Sequence, residues 1–152
     1  MFWQIFYRRD KTMKNYDLII IGFGKAGKTL AAHAGGHGQK VAVVEQSTKM
    51  YGGTCINIGC IPTKTLIHDG IEGSSFKEAI TRKKEVVQAL NNKNYQGLNS
   101  KDNIDVLNYK ANFISNEVIE LQDNNGTIQE TITADKIVIN TGSRANIPDI
   151  KG

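Results

Sequence analysis

A β-branched run that ends in a glycine-rich turn constrains the fold of this chain more than any other feature. Residues 16–21 read Tyr-Asp-Leu-Ile-Ile-Ile, and Gly22, Gly24 and Gly27 follow. The run is typical of a buried parallel strand. Gly22 permits a tight turn, Gly24 lets the backbone approach a pyrophosphate, and Gly27 lets the next helix pack closely on the strand. The sequence therefore predicts a dinucleotide site with the phosphates at a helix N-terminus.

The residues after the glycine turn complete a strand-helix-strand unit. Small residues such as Ala31 and Ala34 face the predicted sheet, and a second strand over residues 40–45 ends at Glu45. An acidic residue about 20 positions after the glycine turn accepts hydrogen bonds from ribose hydroxyls. Lys25 occupies a variable position of the motif and is interpreted as a solvated charge.

The two cysteines of the chain, Cys55 and Cys60, lie in the segment Gly-Gly-Thr-Cys-Ile-Asn-Ile-Gly-Cys-Ile-Pro-Thr-Lys. On a regular helix their Cα atoms would be roughly 8.7 Å apart, whereas a disulfide needs about 4.4–6.8 Å. A bond between them requires a local bend, for which Gly59 and the Ile61-Pro62 pair supply the freedom and the break. So short a loop stabilises a fold by only about 2 kcal/mol, which favours reversible redox chemistry over a structural role.

Two other interpretations of the cysteine pair are a metal site and an incidental structural bond. Two thiols are too few ligands for zinc, and the three histidines (His33, His37 and His68) show no ligand spacing with them. We therefore predict no metal ligands. Lys64 is either a cation beside the redox site or a solvated lysine at the start of a helix.

The second half of the sequence changes from helical to strand periodicity. An apolar stripe predicts an amphipathic helix from about Ser75 to Asn92, and the polar residues 91–103 suggest a loop. Segments 105–107, 112–114, 118–121 and 127–133 predict an antiparallel meander with a hairpin turn at Asn125-Gly126. A further strand over residues 134–140 ends at Thr141 and Gly142, where a dinucleotide could approach closely.

Charge and hydropathy exclude several classes of partner. A net charge of +4 over 152 residues predicts no nucleic-acid partner, and no apolar run reaches the roughly 18 residues that a membrane span requires. The apolar start, residues 1–7, is too short for a secretory signal, and Arg8 and Arg9 follow it rather than precede it. A cytoplasmic location is expected, where a disulfide is more often catalytic than structural.

With these motifs in place, the chain resembles the FAD-binding part of the class I pyridine nucleotide-disulfide oxidoreductases, which include dihydrolipoamide dehydrogenase, glutathione reductase and mercuric reductase. Residues 52–64 are close to that family's redox signature, GGTCxNxGCxPxK. The strand that ends at Thr141 resembles its second flavin motif, ATGS, with Asn140 in place of the usual alanine. The sequence around the cysteines is most similar to that of a bacterial branch of the family, which is linked to reactive-chlorine resistance and copper reduction.

The resemblance implies an α/β fold: a Rossmann-like FAD-binding domain with a parallel sheet and an antiparallel β-meander. It implies an enzyme in which electrons pass from NAD(P)H through FAD to Cys60 and Cys55, and then to a small-molecule, disulfide, metal or other acceptor. Cys60 would be the sulfur against the flavin, Cys55 the interchange sulfur, and Lys64 a cation near the flavin N5 edge. The remaining cofactor-binding residues would be Gly22, Gly24, Gly27, Glu45, Gly53, Thr54, Ala111, Thr141 and Gly142.

Length adds an expectation about domain organisation. Residues 1–14 are interpreted as a disordered extension, and residues 15–152 as the N-terminal FAD-binding domain of a larger, homodimeric enzyme. A chain of 152 residues would lack the NAD(P) and dimerisation domains, so we expect weak FAD binding and no turnover by this chain alone. The alternative from another class is a non-enzymatic dinucleotide-binding module whose cysteine pair senses redox state.

Overall fold

A mixed six-stranded sheet forms the centre of the computed structural model, which describes residues 13–144 and 146–150. Of the predicted extension over residues 1–14, residues 1–12 lie outside the described residues, and the first strand already begins at Lys14. The strands are β1 (Lys14–Ile21), β2 (Val41–Val44), β3 (Ile104–Leu107), β4 (Lys110–Phe113), β5 (Val118–Gln122) and β6 (Ile128–Ile139). The helices are α1 (Lys25–Gly36), α2 (Thr54–Asn57), α3 (Cys60–Ile71) and α4 (Phe76–Asn99), with a 3-10 turn at Thr48–Met50.

The strand order is β3-β2-β1-β6-β5-β4. Strands β3, β2, β1 and β6 are parallel where they pair, and β6, β5 and β4 are antiparallel neighbours. Ile21 at the end of β1 pairs with Val44 of β2 and with Ile139 of β6. Because carboxyl ends of parallel strands meet at one edge of a sheet, this register brings three strand ends together, where ligands of such folds bind.

Two predictions about the strands were wrong. Residues 105–107 belong to β3, which pairs in parallel with β2 rather than joining the meander. The long helix α4 carries the chain back to the edge of the sheet at which β2 begins. β3 can therefore run in the same direction as β2, as a parallel connection requires. Residues 127–133 and 134–140 do not form separate strands, because β6 runs continuously from Ile128 to Ile139. No Gly or Pro interrupts it, and it pairs antiparallel with β5 in its first half and in parallel with β1 over most of its length.

Helix α4 is longer than the periodicity predicts. It begins as expected after Ser75, which forms a capping box with Glu78, but it continues to Asn99, so the predicted loop over residues 91–103 is largely helical. Most residues in its last turns are polar, so the sequence pattern does not reveal the two apolar residues there, Tyr95 and Leu98, that pack in the core. Tertiary packing therefore extends the helix beyond the point at which its apolar stripe ends.

The core has two layers, one on each face of the sheet. On one face, Leu18 and Ile20 of β1 pack with Ala31 and Ala34 of α1. The opposite face carries alternating strand residues, among them Ile19, Ala42, Val44, Ile119, Leu121 and Ile132. Both faces of β1 and β2 are thus buried, which explains why these strands are continuous apolar runs.

Helices α3 and α4 are joined by an ion pair between a buried carboxylate and an exposed guanidinium. Asp69 is 3% exposed and accepts a hydrogen bond from Arg82 of α4 at its Oδ1 atom, while its Oδ2 atom is buried with no hydrogen-bond partner among the described residues. This contact fixes α3, whose first residue is Cys60, against α4.

We expect Arg82→Met to lower the free energy of unfolding by about 1–3 kcal/mol, because the buried Asp69 carboxylate loses its arginine partner and keeps only the His68 ring, 3.3 Å from its Oδ1 atom. Urea denaturation measures this change. Lys84→Met is the matched control, since Lys84 lies on the same helix, is exposed and has no ion pair within the described residues. Equal destabilisation by the two variants would contradict a role for the ion pair.

Candidate active site

The turn after β1 has the conformation that its glycines predict. Gly22 has φ +107°, and a Cβ atom there would lie 2.3 Å from the carbonyl oxygen of Asn140. A Cβ atom at Gly27 would lie 2.6 Å from the Gly22 carbonyl oxygen, so only glycine lets α1 pack this close to the turn. Helix α1 follows Gly24 without a side-chain cap. Its N-terminal N–H groups thus have no side-chain acceptor, as expected at an anion-binding helix end.

The cysteine segment packs directly on this glycine turn. The Gly52 N–H donates to the Phe23 carbonyl at 3.0 Å, and Gly53 has φ +76°. A Cβ atom at Gly53 would lie 2.8 Å from the Cα atom of Gly24. Two motifs that lie about 30 residues apart in sequence therefore meet backbone to backbone, which only glycines allow at this separation.

Glu45 follows β2 and bridges backbone groups of the neighbouring loops. Its Oε2 atom accepts a hydrogen bond from the Phe23 N–H at 3.0 Å, and its Oε1 atom accepts one from the Ser47 N–H at 3.0 Å. Each carboxylate oxygen can accept a second hydrogen bond. The carboxylate therefore holds the glycine turn in place and keeps acceptor capacity for a hydroxyl group.

A cavity of about 510 Å³ lies where the three parallel strand ends meet. It contains most of the residues that the sequence predicts for a cofactor site, including Gly22, Glu45 and Ala111. Its wall is formed by residues 21–25, 44–47, 50, 52–55, 109–111 and 140–142. A cavity of this size is in the range expected for a small-molecule or cofactor site.

Three of the predicted site residues do not line this cavity: Gly27, Cys60 and Lys64. Gly27 lies in the first turn of α1, on the buried face of that helix, and acts through packing against the glycine turn. Cys60 is the first residue of α3, and Lys64 lies one turn further along that helix with its side chain exposed. Cys55 lines the cavity, whereas the resemblance implies Cys60 as the sulfur against the flavin. The roles of the two sulfurs therefore stay a prediction.

The bend predicted between the cysteines is present. Helix α2 ends at Asn57, and α3 begins at Cys60 after Gly59, which has φ −105° and ψ −92°. Pro62 lies within the first turn of α3, where its missing N–H costs nothing, so it takes no part in the bend. Both cysteines are exposed free thiols, and a disulfide between them stays a prediction.

The two thiols interact. The pKa of the Cys55 thiol is raised above its ordinary value, mainly because it hydrogen-bonds to Cys60. Positive charges on Lys64 and Lys25 act in the opposite direction and favour the thiolate. Lys25, interpreted from the sequence as a solvated charge, thus lies near enough to the redox segment to influence it.

This interaction predicts the pH dependence of Cys55 alkylation. Cys60→Ala removes the hydrogen bond that favours the neutral thiol, so we expect the pKa of Cys55 to fall and its alkylation by iodoacetamide at neutral pH to become faster. Cys60→Ser keeps a hydroxyl partner and should give a higher midpoint than Cys60→Ala in the pH profile of the alkylation rate. Superimposable profiles for the two variants would refute the thiol–thiol contact.

Asn140 supplies a contact that the sequence did not identify, although its departure from the usual alanine indicated that its amide needs a partner. Its Nδ2 atom donates to the Gly22 carbonyl at 3.1 Å, and its backbone N–H donates to the Ile21 carbonyl at 2.8 Å. The end of β6 is thereby tied to the glycine turn across the cavity floor.

Asn140→Ala is expected to lower the free energy of unfolding by about 1 kcal/mol, because one partly buried hydrogen bond is lost. Alanine is the usual residue of the motif that this segment resembles, so flavin affinity should change less than twofold. Asn140→Asp should be more destabilising, since it places a carboxylate against the Gly22 carbonyl oxygen. Thermal unfolding and FAD titration of the three proteins measure both effects, and an Asn140→Asp variant as stable as Asn140→Ala would contradict the assigned contact.

Residues 13–144 and 146–150 contain neither a metal-binding cluster nor a membrane-spanning helix. No cluster of three or more His, Cys, Asp or Glu side chains is arranged to bind a metal there. In the same residues, no helix combines the length and apolarity needed to cross a membrane.

Comparison with known proteins identifies a matching family model and similar relatives. Residues 16–152 match the family model described as pyridine nucleotide-disulphide oxidoreductase. The chain is 51% identical to the probable pyridine nucleotide-disulfide oxidoreductase RclA of Escherichia coli K12, covering 92% of this chain and 31% of that protein. It is 34% identical to a mercuric reductase of Lysinibacillus sphaericus, covering 91% of this chain and 27% of that protein.

A solved structure is similar over the same region. It is the Cu(II) complex of the HOCl-induced flavoprotein disulfide reductase RclA from Escherichia coli, with a TM-score of 0.87 and 50% sequence identity over 92% of this chain and 31% of that one. The chain therefore spans about a third of the length of the relatives it matches.

Proposed function

Because this chain belongs to the pyridine nucleotide-disulphide oxidoreductase family, we propose that residues 15–152 form the FAD-binding part of an enzyme that passes electrons from NAD(P)H to the Cys55–Cys60 pair. One observation carries the proposal: the glycine turn, Glu45 and the cysteine segment meet on the wall of one cavity. The parent enzyme is a homodimer in this proposal. We assign it to the cytoplasm, where a redox pair of exposed thiols is more common than a structural disulfide.

The backbone of the cavity fits the adenosine and pyrophosphate portion of FAD. The space beside Gly22 and Gly53 is closed to side chains, since a Cβ atom at either position would lie within 3 Å of backbone atoms. These glycines therefore let the backbone segments that line the cavity pack closely on one another. Free N–H groups at the start of α1 would hold phosphate oxygens, and Glu45 would accept a ribose hydroxyl. Backbone at Ala111 would contact the adenine.

The other residues bear on the redox step. Bound FAD would supply two-electron transfer between NAD(P)H and the cysteine pair. Thr54, Thr141 and Gly142 would position the flavin end by backbone contacts, and Lys64 would place a positive charge near it. Oxidation of the pair removes two electrons and two protons and joins the sulfurs; reduction reverses this and returns two thiols.

The electron acceptor in this proposal is a disulfide, a metal ion or another small molecule. The relatives of this chain include a mercuric reductase, and the structure of RclA of Escherichia coli has been solved as a Cu(II) complex. Because this chain is 50% identical to RclA, a metal ion is the acceptor to test first. The thiols of Cys55 and Cys60 are exposed, so each of these acceptors could reach them.

The proposal is tested by titrating the purified chain with FAD, FMN and ADP and following flavin fluorescence or competition. Because the cavity is built around the nucleotide half, FAD should bind at least tenfold more tightly than FMN, and ADP should displace it. FAD and FMN of equal affinity, or no binding of either flavin, would reject the proposal. FAD binding without any NAD(P)H oxidation by a full-length protein containing this chain would instead support the redox-sensing module.

A further inference from the structure

The residue midway between the cysteines is held by hydrogen bonds on both sides of its amide. Asn57 is the last residue of α2, and its Nδ2 atom donates to the carbonyl oxygens of Tyr51 and Gly53, both at 2.9 Å. Its Oδ1 atom accepts a hydrogen bond from the Nδ2 atom of Asn91 at 3.0 Å. These partners use both kinds of polar group on the amide, so they determine its orientation.

Asn91 makes this contact from α4, a helix that lies outside the redox segment. It is partly buried, and its Nδ2 atom also lies 3.5 Å from the Tyr51 carbonyl oxygen. One turn further along α4, Asn94 accepts a hydrogen bond from Lys28 of α1. Helix α4 thus presents two amides beneath the cysteine segment, and only that of Asn91 reaches Asn57.

The segment between the cysteines has little structure of its own to hold the two sulfurs in register. Helix α2 has 4 residues, well below the length at which a helix is stable without tertiary contacts. Gly59 then adds backbone freedom at the bend. The geometry of Cys55 relative to Cys60 must therefore be set by contacts from other elements, and the Asn91–Asn57 hydrogen bond is such a contact.

We propose that Asn91 is a positioning residue for the cysteine pair: through Asn57 it holds α2 so that the Cys55 and Cys60 sulfurs stay within bonding reach. The inference rests on the proposed redox role of the pair but requires neither flavin nor nicotinamide. Loss of the contact leaves the Asn57 Oδ1 atom without this donor, and the segment between the cysteines becomes free to sample geometries in which the sulfurs are apart. Disulfide formation is then less favourable relative to the dithiol.

The test measures the equilibrium between dithiol and disulfide in the purified chain. Mixtures of reduced and oxidised glutathione supply the exchange partner: two cysteine thiols form one disulfide while one glutathione disulfide becomes two thiols. We expect Asn91→Leu to reduce the equilibrium constant for closing the Cys55–Cys60 bond by about five- to tenfold, a size set by one hydrogen bond. A tenfold change raises the two-electron reduction potential by about 30 mV. Mass spectrometry after thiol trapping reports the ratio.

Asn92→Leu is the matched control, because Asn92 is the adjacent residue on α4, is exposed and has no side-chain hydrogen bond among the described residues. Thermal unfolding of both variants separates a positioning role from a general loss of stability, and Asn91→Gln should restore part of the equilibrium by returning an amide donor. If Asn91→Leu does not fold, Asn91→Ser provides the same comparison with a smaller change.

An equilibrium constant within twofold of the wild-type value in Asn91→Leu or Asn91→Ser, or an equal shift in Asn92→Leu, would overturn the assignment. Failure of FAD to bind would leave this result unaffected, so the two proposals are tested separately.

Discussion

Gly53→Ala is expected to destabilise the chain by about 2–6 kcal/mol and to abolish measurable FAD binding. At φ +76° an alanine is strained, which costs on the order of 1–3 kcal/mol. Its Cβ atom would also lie 2.8 Å from the Cα atom of Gly24, and relieving such overpacking costs about 1–3 kcal/mol more. Because the clash is between two backbones, the redox segment has to move away from the glycine turn. Urea denaturation and flavin titration measure the two effects.

Gly73→Ala separates backbone strain from the clash. Gly73 has φ +77°, almost the same value as Gly53, but nothing lies within 4 Å of a Cβ atom placed there. The control should therefore lose only the strain energy and keep its flavin affinity. If Gly53→Ala proved no more destabilising than Gly73→Ala, the close contact between the cysteine segment and the glycine turn would be refuted.

The second large effect is expected at the cysteines themselves. In a full-length protein containing this chain, Cys55→Ser or Cys60→Ser should lower kcat for NAD(P)H-dependent reduction of a disulfide by roughly three orders of magnitude or more. Neither variant can form the internal disulfide, because a serine oxygen cannot replace the missing sulfur. Steady-state kinetics measure this loss, and FAD content should remain at the wild-type level in both variants.

Thr63→Ser provides the control for this experiment, since it makes a change of similar size at an exposed position of the same segment and should leave kcat within twofold. A cysteine variant that retained a tenth or more of the wild-type kcat would exclude the pair from the electron path.

The sequence predicted local features of the cavity wall better than it predicted the pairing of β3 and the length of β6. The glycine turn, the bend at Gly59 and the strand end at Thr141 are local features, because each depends on the conformation available to a few consecutive residues. Their meeting in one cavity followed from the parallel order of β1 and β2, which the βαβ pattern indicates.

The errors arose where long-range packing decides the structure. The position of β3 depends on where α4 delivers the chain, and β6 changes partners along its length without any change in residue type. The contacts of Asn57, Asn91 and Asn140 could also not be predicted from the sequence, because an asparagine side chain gives no indication of which distant group it will bind. Of these three residues, only Asn140 was conspicuous in the sequence, because it is a polar residue at a position where alanine is usual.

We propose that one sulfur of the pair lies against a bound flavin and that this sulfur is Cys60, as the resemblance implies, although it is Cys55 that lines the cavity. This assignment is tested most directly by the visible absorption of the FAD-loaded Cys55→Ser and Cys60→Ser proteins with the flavin oxidised and the remaining cysteine kept as a thiol, compared with the wild-type protein after partial dithionite reduction of its disulfide. We predict a long-wavelength band in Cys55→Ser, where the Cys60 sulfur remains beside the flavin, and no such band in Cys60→Ser. A band that survives only in Cys60→Ser, or is absent from both variants and from the wild-type protein, would contradict this account.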